Sequence, residues 1–215
     1  MITIAKTTAE ILYGDEVARE ALVAGVLNLS AYAKKLKPKI EKRLYKNIRV
    51  GSIVTALSRL AVIAGKVPSL RATVKIEDMS IKSPLCELTY EKTEEVSLVI
   101  SKLGINFSGH GFFTSTQGIG EVTLIAAQDH KADMLKQIGV TPKGEYNNLA
   151  AVTVRFNEGQ YVEIPNMIYT LVSALAVKRI NLVEIVSTFT EISFIVRQED
   201  MNQVVEVFRT NFLNN

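Results

Sequence analysis

The sequence predicts an α+β protein in which a helical head precedes two copies of a strand–helix–strand–strand–helix unit. Three observations predict it. The apolar period is helical up to GKVPS (65–69) and mixed beyond it. EVTLIAAQD (121–129) aligns at an offset of 70 with EISFIVRQE (191–199), with Glu, Ile and Gln identical and five further pairs conservative. Charge divides at the same place: residues 1–66 hold 12 Lys/Arg and 5 Asp/Glu, a net +7, and the rest is net −4, within a chain total of +3. A basic head on a mildly acidic body implies two units with different partners.

In the head, Glu16 to Leu29 reads as a helix, with Val17, Leu22, Val26 and Leu29 on one face. Asn28 and Ser30 offer caps for a short helix, AYAKKL. Pro38 suits the first turn of another, PKIEKRLYK, because its missing N–H is an orphan there. Gly51 to Ala64 completes the set, with Ile53, Leu57, Leu60 and Ala61 at helical spacing.

In the body, Pro84 to Glu91 reads as a strand. Val96, Val99, Ile100 and Leu103 recur at i, i+3, i+4, i+7, which is an amphipathic helix. Ile105–Phe113 and Glu121–Ala127 form a hairpin, Lys131–Ile138 a second helix, and Lys143–Asn147 a closing strand. The cycle then restarts. Val152, Val154 and Phe156 alternate, Ile168, Leu171, Val172 and Leu175 repeat the helical spacing, and Ile180–Phe189 and Glu191–Val196 form the next hairpin. Met201, Val204, Val205 and Phe208 close the second copy, whose final strand is missing. An open sheet with both helices on one face satisfies that order.

The chemistry-bearing residues form no reactive constellation. His110 and His130 lie in no ligand-spaced cluster, so no metal is expected. The glycines at 104, 109, 111, 118 and 120 follow no strand-to-helix phosphate loop and read as turn glycines. Glu94-Glu95 and Glu199-Asp200 sit where acidic groups favour a helix N-terminus. Cys86, the single cysteine, suits a buried apolar position. No catalytic residue, enzyme activity or cofactor is expected. The chain has no apolar run of the roughly 20 residues a span needs and no basic-then-apolar leader, so a cytoplasmic location with no membrane partner is the expectation.

The basic stretch is more informative. From Lys34 to Arg49 there are eight basic residues and one acidic one. Consecutive short helices followed by RVGSIVTALSRLA fit a helix-turn-helix. Lys34, Lys35, Lys39, Lys42, Arg43 and Arg49 are the candidate phosphate contacts, and Ser52, Thr55 and Arg59 the candidate base-facing residues. DNA is the partner this implies.

NNLAAVTVRF (147–156), IYTLVSALAVKRINLVEIVSTFTEISFIV (168–196) and EDMNQVVEVF (199–208) resemble an ACT domain, and closely the regulatory ACT domains at the C-terminus of aspartokinases. The first copy, about 84–147, resembles one more weakly, through the repeat. NLSAYAKKLKPKIEKRL and IRVGSIVTALSRLA resemble a winged-helix segment. The resemblance implies a head at 1–66 and tandem ferredoxin-like (βαββαβ) domains at 67–147 and 148–215. It implies a regulator that senses an amino acid and pairs as a homodimer through its ACT domains. DNA-binding transcriptional control is the leading reading, and a non-catalytic regulatory subunit of an amino-acid biosynthetic enzyme such as aspartokinase is the alternative. The implied effector site is Ile164, Pro165, Asn166 and Met167 facing Ile185, Ser187 and Thr188. Such domains commonly have glycine where Asn166 stands. Glycine there lets the backbone approach the ligand closely, and Asn tolerates left-handed conformations better than most residues.

Overall fold

A computed structural model describes residues 3–64, 69–107, 111–158 and 163–213. Residues 65–68, where the sequence changes character, and Gly109 and His110 lie outside the described residues. Two compact units emerge, Met1–Ala72 and Thr73–Asn215.

The first unit is helical throughout its described residues: α1 (Ile4–Tyr13), α2 (Glu16–Val23), α3 (Leu29–Leu44) and α4 (Val50–Ala64). Each of the first three helices has a side-chain cap. Thr3, Asp15 and Asn28 accept the N–H groups of Lys6, Ala18 and Ala31 at 3.2, 3.1 and 3.0 Å. Asp15 also accepts the Tyr32 hydroxyl at 3.0 Å, tying α2 to α3. The Ala18 N–H and that hydroxyl together hold the Asp15 carboxyl below its usual range, against the opposing effect of burial. Leu12, Leu22, Leu36, Ile40, Ile53 and Leu57 form the centre of the core.

Two sequence expectations fail in this unit, each for a local reason, and one helix lies where none was expected. The helix expected over Glu16–Leu29 stops at Val23, since Gly25 takes φ +73°, a conformation glycine adopts at no steric cost. Val17 and Val26 are therefore exposed, while Ala18 and Leu22 face inward. The two short helices around Pro38 are one helix, α3, with Pro38 inside it. The buried stripe Tyr32, Ala33, Leu36, Ile40 runs unbroken past the proline, and that packing outweighs the lost backbone bond. The stretch ahead of Glu16 is itself a helix, α1, burying Thr7, Thr8 and Leu12.

The second unit is one sheet. Its strands are β1 (Asp78–Glu91), β2 (Phe113–Gln117), β3 (Glu121–Ala127), β4 (Gly144–Arg155), β5 (Glu184–Ser187) and β6 (Glu191–Arg197), in the order β2-β3-β1-β4-β6-β5, every pair antiparallel. Helices α5 (Glu94–Phe107), α6 (Lys131–Ile138), α7 (Met167–Val177) and α8 (Met201–Phe208) alternate with them. The aligned segments occupy equivalent places. β3 and β6 each run into a 3₁₀ turn, Gln128–His130 and Gln198–Asp200, and then into a helix.

The strand expected over Ile105–Phe113 is a correction. α5 continues to Phe107 and the strand begins at Phe113. The spacing Val96, Ile100, Leu103, Phe107 is helical throughout, so the helix claims residues that a short alternation also fitted. Lys143–Asn147 and Val152–Phe156 belong to one long strand, β4, instead of two.

β1 and β4 each serve both repeats. The later half of β1 pairs with β3 from Leu85↔Ala127 to Glu91↔Glu121. Its first half pairs with the end of β4, from Asp78↔Arg155 to Lys82↔Ala151, with register shifts between Lys82 and Glu87. Residues 78–82 thus supply the fourth strand that the second copy lacks in its own sequence. Alternation then splits each strand between two faces. Cys86, Leu88 and Tyr90 pack with Val96, Ile100 and Met134 of α5 and α6. Leu85, Ile125, Leu149, Ala151 and Ile195 form a second buried cluster on the other face, with Phe112 and Val183 against it. Phe194 meets Phe208 of α8 at 4.9 Å between ring centroids.

Candidate functional site

The fold brings three groups of residues into question, one in the head and two in the body. In the head, all nine sequence candidates are exposed: Lys34, Lys35, Lys39, Lys42 and Arg43 on α3, Arg49 just ahead of α4, and Ser52, Thr55 and Arg59 on α4. Ser52, Thr55 and Arg59 share one face of α4 by their i, i+3, i+7 spacing. Two of the cations are engaged. Lys35 lies 3.9 Å from Asp15, and Arg43 lies 3.7 Å from Glu10. These pairs are exposed and worth about 0.2–1 kcal/mol each. Among the described residues, Lys34, Lys39, Lys42, Arg49 and Arg59 have no ion pair within 4.0 Å. The α3–α4 connection is held by Glu41, whose carboxylate accepts the Ile48 N–H at 2.8 Å and pairs with Lys37 at 2.8 Å. Those two partners hold the Glu41 carboxyl below its usual range.

In the second repeat, Asn166 precedes the first turn of α7 with φ +63° and ψ +20°. The left-handed conformation that Asn tolerates is present. Its side chain makes no capping hydrogen bond, and its carbonyl accepts the Thr170 N–H and hydroxyl at 2.9 and 2.8 Å. Ile164 is half-buried, and Pro165 and Asn166 are exposed. Met167 is only 4% exposed, so its side chain belongs to the core beneath the turn. Ile185, Ser187 and Thr188 are exposed at the end of β5, where the Thr188 N–H donates to Glu191 at 2.9 Å. Chain direction puts the start of α7 and the end of β5 at the same end of the repeat. The Phe156 N–H donates to Thr190 at 2.9 Å there, joining the end of β4 to the β5–β6 turn.

A third place was missed by the sequence reading. A cavity of about 960 Å³ lies on the face of β1 that points away from α5 and α6. Glu87, Tyr146, Leu149, Val183, Arg197 and Glu199 line it, together with Asn147, Asn148, Asn181 and Gln198. Glu87 is 8% exposed, and its Oε2 is buried with no hydrogen-bond partner among the described residues. Burial, and then the charge of Glu184, push its carboxyl up to about 7. The signal was weak because Glu87 alternates with Cys86 and Leu88, which reads as an ordinary solvent-facing glutamate. Its partners on the two flanking strands are Ile125 and Tyr146, both at long sequence separation.

Among the described residues no group of three His, Cys, Asp or Glu is placed to hold a metal ion. No described helix is long and apolar enough to cross a membrane. Cys86 is buried, and burial pushes its thiol up.

No family profile matches the chain, and no curated protein matches it. Solved structures do. Aspartate kinase of Clostridium acetobutylicum, an allosteric enzyme, matches 64% of this chain and 34% of its own, at a TM-score of 0.54 and 16% identity. The regulatory subunit of aspartate kinase from Thermus flavus matches 64% of this chain and 98% of its own, at 0.52 and 11%. The ligand-free regulatory subunit from Thermus thermophilus matches 64% and 99%, at 0.51 and 10%. The sheet-bearing part of the chain therefore has the fold of aspartate kinase regulatory ACT domains. The chain spans about a third of the length of the Clostridium enzyme.

Proposed function

We propose that this protein is an amino-acid-responsive regulator in which the ACT-type body senses the effector and the helical head binds DNA. One observation carries the reading. A body with the fold of a regulatory subunit shares its chain with a helical unit that exposes a cluster of cations on α3 and α4. In the body, the left-handed turn at Asn166 presents the start of α7, where backbone N–H groups suit a carboxylate. Ser187 and Thr188 offer hydroxyls from the end of β5. In the head, Lys34, Lys39, Lys42 and Arg49 supply phosphate contacts and Arg59 the base contact. β2 and β5 are the sheet edges, and pairing of two copies along an edge joins two heads in one particle. Effector binding then shifts the placement of the heads, through a coupling of about 1–3 kcal/mol.

Fluorescence polarisation with labelled random duplex DNA tests the head. Binding at low salt that weakens steeply as salt rises supports the reading, because released counterions dominate phosphate contacts. No binding at low salt removes it.

A second reading has its own support. The Thermus regulatory subunits are covered almost end to end by the same fold. A subunit that docks on an amino-acid biosynthetic enzyme, with the basic head contacting protein, fits that observation. Recovery of such an enzyme on the tagged chain from its native host, together with indifference to DNA, selects it.

A further inference from the structure

We propose that the cavity floored by Glu87 binds a small zwitterion, with its ammonium group on Glu87 and its carboxylate on Arg197. This site is separate from the α7–β5 end of the second repeat and is drawn from different residues.

The first support is an unmet demand. A carboxylate buried without a partner is costly, and natural structures satisfy such groups. Glu87 Oε2 is buried and unpartnered among the described residues, and the Glu87 residue lines a cavity of about 960 Å³. That volume falls within the range of small-molecule sites. Burial, and after it the negative charge of Glu184, raise the Glu87 carboxyl, and a cation beside it offsets both, so a cation is favoured over an anion at this spot. An ammonium group brings both the charge and up to three N–H donors. No cluster of three potential metal ligands exists among the described residues, which leaves an organic cation as the better match.

The second support is register. Arg197 pairs with Leu149, and Leu149 with Leu85, so Arg197 and Glu87 share one sheet face two strands and two residues apart. Strand spacings of about 4.8 Å and a two-residue step of about 7 Å put their Cα atoms roughly 12 Å apart. Side chains stand roughly perpendicular to a sheet, so a glutamate and an arginine rising side by side from that face at this spacing leave room between their tips for a molecule whose two charges are close together. Arg197 is available for it. Its pairing with Glu199 is long, 3.7 Å, and both side chains are exposed, a kind of pair with little net strength.

The test uses the full chain. The twenty proteinogenic L-amino acids are screened singly by thermal shift. Each hit is titrated by calorimetry beside its decarboxylated amine and its N-acetylated acid. At least one amino acid binds, and both analogues lose at least tenfold in affinity. Glu87→Gln, which keeps side-chain size, and Arg197→Gln each lose at least tenfold while retaining cooperative unfolding. Three results overturn the proposal: no amino acid binding up to about 10 mM; affinity unchanged in both variants; or loss in Ser187→Ala with retention in Glu87→Gln, which puts the ligand at the α7–β5 end.

Discussion

The Ile76 N–H donates to the Phe212 carbonyl at 2.9 Å, tying the segment ahead of the first repeat to the end of the second. Val74 and Ile76 are buried beside it, and residues 78–82 continue as the partner of Ala151–Arg155. The two repeats are therefore interlocked. Ile76→Ala destabilises the protein by about 2–5 kcal/mol, the range for truncating a buried isoleucine, as read by urea unfolding. A fragment beginning at Ser83 loses hydrogen-exchange protection across Ala151–Arg155 but keeps it between β1 and β3. Equal loss in both halves contradicts the interlock.

Thr153 and Ser193 hold hydroxyls 2.7 Å apart across β4 and β6, and Thr89 and Thr123 do the same at 2.9 Å across β1 and β3. Ser193 and Thr123 are 70 residues apart, the offset of the repeat. Ser193→Ala leaves the Thr153 hydroxyl unmet and costs about 1–3 kcal/mol. Adding Thr153→Val recovers part of that loss. A double-mutant cycle measures the coupling, and strict additivity contradicts a working pair.

Pro38 breaks the hydrogen-bond ladder inside α3 on an exposed face. Pro38→Ala raises stability by up to about 3 kcal/mol, the propensity difference in a helix interior, less what proline gains by restricting the unfolded chain. Thermal unfolding reads it, and a lower Tm contradicts the account of α3.

Glu87 gives the pH dependence. The unfolded carboxyl releases its proton near 4.5, and the folded one keeps it up to about 7. The folded state binds more protons in that window, so stability falls as pH rises from about 4.5 to about 7 and then levels off. Glu87→Gln removes this fall. The difference in unfolding free energy between variant and parent, without ligand, should grow in the variant's favour across that window. A flat difference means that Glu87 ionises freely in the folded chain.

Much of the body was legible because local pattern and final environment agree there. EVTLIAAQD and EISFIVRQE differ in detail but keep the same apolar alternation, and both become a strand entering a 3₁₀ turn and a helix. The Val96–Leu103 helix was plain for the same reason. What escaped depends on distant partners. Asp78–Lys82 has no strong strand pattern and is a strand because the edge of β4 takes it up. Pro38 reads as a helix start until the stripe from Tyr32 to Ile40 is seen to pack as one. Glu87 reads as solvent-facing until Ile125 and Tyr146 flank it. Residue type and exposure on α3 and α4 were readable, but no local pattern says what their cations meet.

DNA affinity of the full chain, measured by polarisation at low salt with and without a saturating amino acid from the thermal-shift screen, tests the central claim most directly. The account predicts salt-sensitive binding whose dissociation constant shifts about 5–150-fold with effector, the equivalent of 1–3 kcal/mol of coupling. A dissociation constant unchanged by every amino acid, or no DNA binding at all, contradicts it.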